Sequence, residues 1–167
     1  MNQSQIFLHG TCVSLGGAGV LILGEPGSGK SALALRLVDQ PERQRGFSGA
    51  LLRSELVADD QVIVTRDQDR LMASAPATLR GKLEIRGLGI VTLATPASVS
   101  LALVVKLQDH SAIERLPDPA IFDILGMALP LVEIDAKLPS APARLRAALN
   151  WLKQPGEARE PVAQRRG

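Results

Sequence analysis

Apolar positions along this chain fall mostly into short runs, and only two stretches carry clear helical spacing. Val20-Leu21-Ile22-Leu23 is an unbroken apolar run, which predicts a buried strand. Residues 31–38 follow with Leu33/Leu37 and Ala34/Val38 four apart, which predicts a largely buried helix. Further short runs predict strands at residues 5–13, 56–58, 62–64, 71–75, 82–86, 90–93, 101–107 and 131–134. Residues 120–125 read as a short helix. Residues 141–152 predict a second long helix, with Leu145, Leu149 and Leu152 on one face and Arg144 and Arg146 off it. Strands outnumber helices, so the expected class is α/β with a mixed sheet and few helices, not a regular strand–helix alternation.

Residues 41–49 read as a polar, exposed connection. From Lys153 onward Pro, Gly, Gln and charges dominate, and this stretch is expected to be a disordered basic tail. The expected organisation is one domain over residues 1–152 and a tail over 153–167, without internal repeats.

Composition narrows the partners. The chain is 46% hydrophobic and 22% charged, the balance of a globular domain. No apolar run approaches the ~20 residues of a membrane span, and the first residues lack the pattern of a secretory signal. A single cysteine, Cys12, excludes an internal disulfide and fits a reducing cytoplasm. The sequence pI near 9.0 suggests nucleic acid until the charges are located. Lys153, Arg159, Arg165 and Arg166 face Glu157 and Glu160 in the tail, so the 19 basic and 17 acidic residues leave 15 of each in residues 1–152. The only aromatic residues are Phe7, Phe47, Phe122 and Trp151, too few for a base-stacking platform. Neither nucleic acid nor a membrane is the expected partner.

The chemistry begins at Gly24-Glu25-Pro26-Gly27-Ser28-Gly29-Lys30-Ser31, a full G-x-x-x-x-G-K-[ST] phosphate-binding loop between the predicted strand and helix. Its backbone N–H groups and the helix N-terminus suit a phosphate, Lys30 suits the β/γ oxygens, and the Ser31 hydroxyl suits Mg²⁺. Asp59-Asp60 ends an apolar strand, where α/β sheets bind ligands. One carboxylate can serve a metal and the other can accept a hydroxyl proton. Glu84 and Arg86 share a face if residues 82–86 are extended, pairing a possible Mg²⁺ carboxylate with a guanidinium, although the same residues equally read as a hairpin with a surface ion pair. His9 could assist proton transfer. His110 reads as solvated, and Arg115, beside Glu114, reads as an exposed ion pair.

The order His9-Gly10, GVLILGEPGSGKSALAL, ELVADD and LEIRGLGIV resembles the catalytic domain of bacterial HPr kinase/phosphorylase, and the similarity runs over roughly residues 5–150. Ile85-Arg86-Gly87-Leu88-Gly89-Ile90 is its most family-specific part. The resemblance implies an HPr kinase/PEP carboxykinase-like fold and ATP- and Mg²⁺-dependent phosphorylation of a serine on the phosphocarrier protein HPr. It implies that His9, Lys30 and Arg115 are active-site residues and that Ser31 and Glu84 serve the metal. Asp60 would be the proton acceptor, with Asp59 as its metal-side support. It also implies a homo-oligomer, commonly a hexamer, in the cytoplasm.

Departures accompany the resemblance. Ala32 stands where the family usually has Glu. With His9 so near the first residue, the expectation is a short form lacking the regulatory N-terminal domain of longer members, and the segment between Ile90 and Leu101 lacks a glycine-rich loop. Asp135-Ala136-Lys137-Leu138-Pro139 replaces an arginine- and glycine-containing run associated with dephosphorylation. Such short forms look like those of proteobacteria that use phosphocarriers for regulation. The expectation is therefore a kinase with weak or absent phosphorolysis of phosphoserine-HPr. The competing expectations are a small P-loop NTPase switch and a non-catalytic nucleotide-sensing module.

Overall fold

A computed structural model of the protein describes residues 4–40 and 53–152. The predicted 41–49 connection and the predicted tail over residues 153–167 lie outside these residues. The described chain forms strands β1 (Gln5–His9), β2 (Thr11–Leu15), β3 (Ala18–Leu23), β4 (Ser54–Ala58), β5 (Gln61–Asp67), β6 (Arg70–Ser74), β7 (Lys82–Ile85), β8 (Gly89–Thr92), β9 (Val99–Leu107), β10 (Ala120–Ile124) and β11 (Met127–Ile134). Helices α1 (Lys30–Asp39) and α2 (Ala141–Leu152) accompany them.

The centre is parallel. β9 runs beside β3 along one edge, and its other edge is shared between β6, antiparallel at Val99 and Ser100, and β11, parallel at residues 104–107. A register shift between Gly19 and Val20 in the β3–β9 pairing changes which side of β9 faces which layer. Leu103, Val105 and Leu107 therefore pack with α1 and α2, whereas Val99, Leu101 and Val104 pack on the opposite side with β5 and β6. Two apolar clusters, one on each side of the sheet, form the core.

The strand order β1-β5-β6-β9-β3-β2-β4 explains where the chemistry sits. β4 and β5 lie near opposite ends of that order, yet only Asp59 and Asp60 join them. Gly10 alone joins β1 to β2. Such short links demand a sheet that curls until its ends meet, and β2 accordingly approaches β5 while β4 approaches β6. Strand twist supplies that curl. The two crossings run side by side and are bonded, with Gly10 N–H donating to the Asp60 carbonyl at 3.1 Å.

Three expectations are corrected. Residues 5–13 are not one strand; the chain breaks at Gly10 to change position in the sheet. Residues 120–125 are not helical. Leu125 (φ +52°) and Gly126 (φ +74°) form a two-residue turn with positive φ at both positions, the geometry that suits a twisted hairpin, and β10 pairs with β11 through it. Arg146 is not off the packed face of α2: it is buried, donating to Gln40 Oε1 at 2.6 Å and reaching the Leu37 carbonyl and Ser54 Oγ at 3.4 Å. Burial lowers its guanidinium pKa from the usual value.

Candidate active site

The loop from Gly24 to Ser31 leaves β3 and enters α1 as predicted. Gly29 caps the helix at φ +98°, a left-handed conformation that glycine adopts without a Cβ clash, and so turns the loop into the first helical turn. Lys30 is buried, and its Nζ donates to the carbonyls of Gly24 (2.9 Å) and Glu25 (3.0 Å), closing the loop on itself. The Ser28 hydroxyl is buried without a partner among the described residues.

The sheet corner supplies the next groups, and its two aspartates are treated oppositely. Asp59 is buried; it accepts from Thr11 Oγ1 at 2.8 Å and from Ser31 Oγ at 2.8 and 3.0 Å on its two oxygens. Asp60 is exposed, with φ +68°. Gln61 N–H donates to the Asp59 carbonyl at 2.8 Å, the bond of a three-residue γ-turn centred on Asp60. A left-handed aspartate costs about 1 kcal/mol, and such strain persists only where surrounding structure imposes it. Here the Gly10–Asp60 bond and the two flanking strands impose it. Its Oδ1 lies 3.3 Å from His9 Nδ1.

The β7–β8 hairpin closes the third side. Leu83 is buried in the helix-side core, so the alternation of β7 turns Glu84 outward. Leu88 N–H donates to the Ile85 carbonyl at 2.9 Å with Gly87 at φ +88°, a turn that requires glycine at its third position and sets Arg86 at its second. Together the loop, the corner and the hairpin enclose a cleft of about 550 Å³.

Of the sequence-derived candidates, His9, Pro26, Gly27, Gly29, Lys30, Ser31, Asp59, Asp60, Glu84 and Arg86 line this cleft. Gly24, Glu25 and Ser28 complete the loop behind it. Arg115 is exposed in the segment after a short 3-10 turn at His110–Ala112 and is not among the lining residues. Sequence reasoning missed Thr11, whose only signal is a hydroxyl in an otherwise buried strand, and Leu35 and Ile85, which give the cleft apolar wall.

Beyond the loop lies a braced segment. The Asp135 carboxylate accepts the N–H groups of His110 (3.1 Å) and Lys137 (2.8 Å). Arg36 of α1 donates to the carbonyls of Ala136 (2.8 Å), Leu138 (3.0 Å) and Pro139 (2.9 Å). Ala136 abuts Gly29, where an added Cβ would lie 3.2 Å from its own. Lys137 pairs with Asp109 at 3.7 Å, and hydrogen bonds from Ser111 hold the Asp109 carboxyl below its usual pKa, with a smaller contribution from Lys137.

The donor set can be matched to a ligand. A glycine-rich loop at the N-terminus of a ten-residue helix, with a lysine, presents N–H groups and positive charge to a phosphate chain. Beside it stand a hydroxyl and a carboxylate, hard oxygen donors of the kind Mg²⁺ takes together with phosphate. Among the lining residues, Ser31, Asp59, Asp60 and Glu84 carry such oxygens. Among the described residues no three His, Cys, Asp or Glu side chains converge into a metal cage. No helix among them is long and apolar enough to cross a membrane.

Comparison with known proteins shows what the chain is similar to. The family model described as "HPr Serine kinase C-terminal domain" matches residues 2–148. HPr kinase/phosphorylase from Thermoanaerobacter sp. (strain X514) is 32% identical over 155 residues, covering 87% of this chain and 45% of that protein. HPr kinase/phosphorylase from Cupriavidus metallidurans is 36% identical over 145 residues, covering 80% of this chain and 41% of that protein. The chain thus spans a little under half the length of these relatives. The structure of the Hpr(Ser) kinase/phosphatase from Coxiella burnetii shares the fold, with a TM-score of 0.72 at 23% identity over 87% of this chain and 95% of that one. The family model covers most of the chain, and the chain belongs to the HPr serine kinase C-terminal domain family.

Proposed function

We propose that this domain transfers the γ-phosphoryl group of ATP to a serine hydroxyl of an HPr-type phosphocarrier protein in the cytoplasm. One observation carries the reading: a complete phosphate loop and an exposed, strained aspartate with a neighbouring histidine open into the same cleft.

The roles follow from what each group touches. Lys30 exchanges its bonds to the Gly24 and Glu25 carbonyls for phosphate oxygens of ATP. Ser31, Asp59 and Glu84 would hold Mg²⁺, which when bound would supply positive charge to the phosphate oxygens. Thr11 fixes the Asp59 carboxylate toward Ser31, so that position does not depend on the nucleotide. Asp60 accepts the serine proton as serine Oγ bonds to the γ-phosphorus and the bond to the bridging oxygen of ADP breaks. His9, 3.3 Å away, orients that carboxylate. Arg86 faces the transferred charge from the hairpin. Arg115 lies outside the cleft of a single chain and receives no step here.

The reverse reaction needs positive or N–H-rich surface for a second anion beside phosphoserine. The braced segment offers Lys137, already paired with Asp109, and Arg36, already engaged by three carbonyls. The forward direction is therefore favoured.

The test is incubation with labelled ATP, Mg²⁺ and purified HPr from the same cell, followed by phosphosite mapping. The expected result is one phosphoserine on HPr and slow loss of it in excess inorganic phosphate. Label released only as inorganic phosphate would favour an NTPase switch instead, and pyrophosphate formed as fast as the kinase reaction runs would overturn the forward bias.

A further inference from the structure

The polar cleft has an apolar rim on two sides. Among the described residues six large hydrophobic side chains are exposed, and three of them, Phe7 (60%), Leu88 (79%) and Ile90 (69%), lie within two residues or one cross-strand pair of cleft residues. On one wall, β1 alternates so that Phe7 and His9 face outward while Ile6 and Leu8 pack inward. Ile63, half-buried, pairs directly with Phe7 and extends the same outward patch. On the other wall, Ile90 pairs directly with Glu84, and Leu88 follows Arg86 and Gly87 at the hairpin tip. Nothing lies within 4 Å of the Cβ positions at Gly87 and Gly89, so the tip is open.

The phosphates and metal of a nucleotide need no such rim, because their recognition is polar and sits on the loop, and Leu35 and Ile85 offer the base an apolar wall inside the cleft. Aliphatic and aromatic side chains left in water at the mouth of a reaction cleft suit a second macromolecule. We infer that Phe7 on one wall and Leu88 and Ile90 on the other form the docking surface for the substrate protein, gripping aliphatic side chains on both flanks of its acceptor serine. The inference rests on the kinase reading and adds the chemistry of the recognised segment. The occupant follows from continuity with the cleft: a polypeptide whose hydroxyl reaches Asp60 must cross both walls, and each presents an apolar group beside a polar one. Only a segment with apolar neighbours on both sides of the serine covers the two patches at once.

The experiment is steady-state phosphorylation of HPr by the full chain and by Phe7→Thr/Leu88→Ser/Ile90→Thr, with melting temperature and sedimentation measured in parallel. These side chains are exposed and outside the reacting set, so the melting temperature and the KM for ATP should not change. The KM for HPr should rise at least about tenfold, the scale of uncovering one large apolar side chain. Phe7→Thr alone, which leaves the hairpin wall intact, should give a smaller rise in the same direction. An unchanged KM for HPr while the wild type phosphorylates it overturns the docking surface and leaves the kinase reading standing. Equal rises in KM for ATP and for HPr, or a change of oligomeric state with unchanged KM for HPr, also overturn it. A wild type that phosphorylates no HPr removes the kinase reading, and this inference with it.

Discussion

The phosphate loop is flanked by two regions built on opposite terms. On the corner side, Gly10 and the Asp59-Asp60 link bring His9, Thr11 and both aspartates together, and Asp60 is left strained and open to solvent. On the braced side, at the ends of β9 and β11, polar groups are matched: Asp135 accepts two backbone N–H groups, Arg36 serves three carbonyls, and Lys137 faces Asp109. The difference separates reactivity from support. A group that must take a proton is left open to solvent, whereas the wall behind Gly29 must not move.

Lys30 lies where the two regions meet, so its loss should have the largest effect. Lys30→Met should reduce phosphoryl transfer by at least about a hundredfold, the scale of one lost transition-state donor. A preserved circular dichroism spectrum with absent transfer is the expected pair of readings; wild-type transfer would break the contrast by making the loop lysine dispensable.

A second test asks how far the openness of the corner reaches. Cys12 follows Thr11 in β2 and is fully buried, which pushes its thiol pKa from 9.0 up to about 12. Only the unfolded chain ionises this thiol between those values, so stability is unaffected below pH 9 and falls as pH rises above it. At about 1.4 kcal/mol per pH unit, the loss approaches about 4 kcal/mol near pH 12. Cys12→Ala should remove this part of the alkaline stability slope, measured by denaturant melts of both proteins. A native thiol that reacts readily with a thiol probe at pH 8 would show that the openness extends below the cleft.

The braced side predicts a smaller, structural effect. Arg36→Met strips three charge-assisted bonds from carbonyls and should destabilise the domain by about 2 kcal/mol. Hydrogen exchange at the Lys137 and Leu138 amides should rise with it. Unchanged stability and exchange would mean that the brace is not what holds this wall.

The sequence made local elements legible and left distant ones hidden. β3, the loop and α1 form one continuous motif whose signal is local, so the strand, the turn and the helix could be read there. β10 was misread because its turn is Leu125-Gly126, and leucine gives no hint of a positive φ where Asn or Asp would. Arg146 looked solvated because a charged residue defaults to the exposed face of a helix; its partners Gln40, just past the end of α1, and Ser54 of β4 are 106 and 92 residues away. Thr11 was missed for the same reason, since Asp59 is 48 residues away. Asp59 and Asp60 were legible as a pair, but their division into one buried and one exposed carboxylate comes from the curled sheet, which no local pattern encodes.

The central claim is that this division is also a division of labour, and the direct measurement is the single-turnover rate of phosphoryl transfer to HPr by Asp60→Asn beside Asp59→Asn. Asparagine tolerates the left-handed backbone, so Asp60→Asn should melt with the wild type yet transfer about two orders of magnitude more slowly or worse. Asp59→Asn should instead weaken Mg²⁺-dependent ATP binding and lower the melting temperature, because Thr11 and Ser31 lose a charged acceptor. Wild-type transfer by Asp60→Asn, with Asp59→Asn inactive, would contradict the account and reverse the two carboxylates.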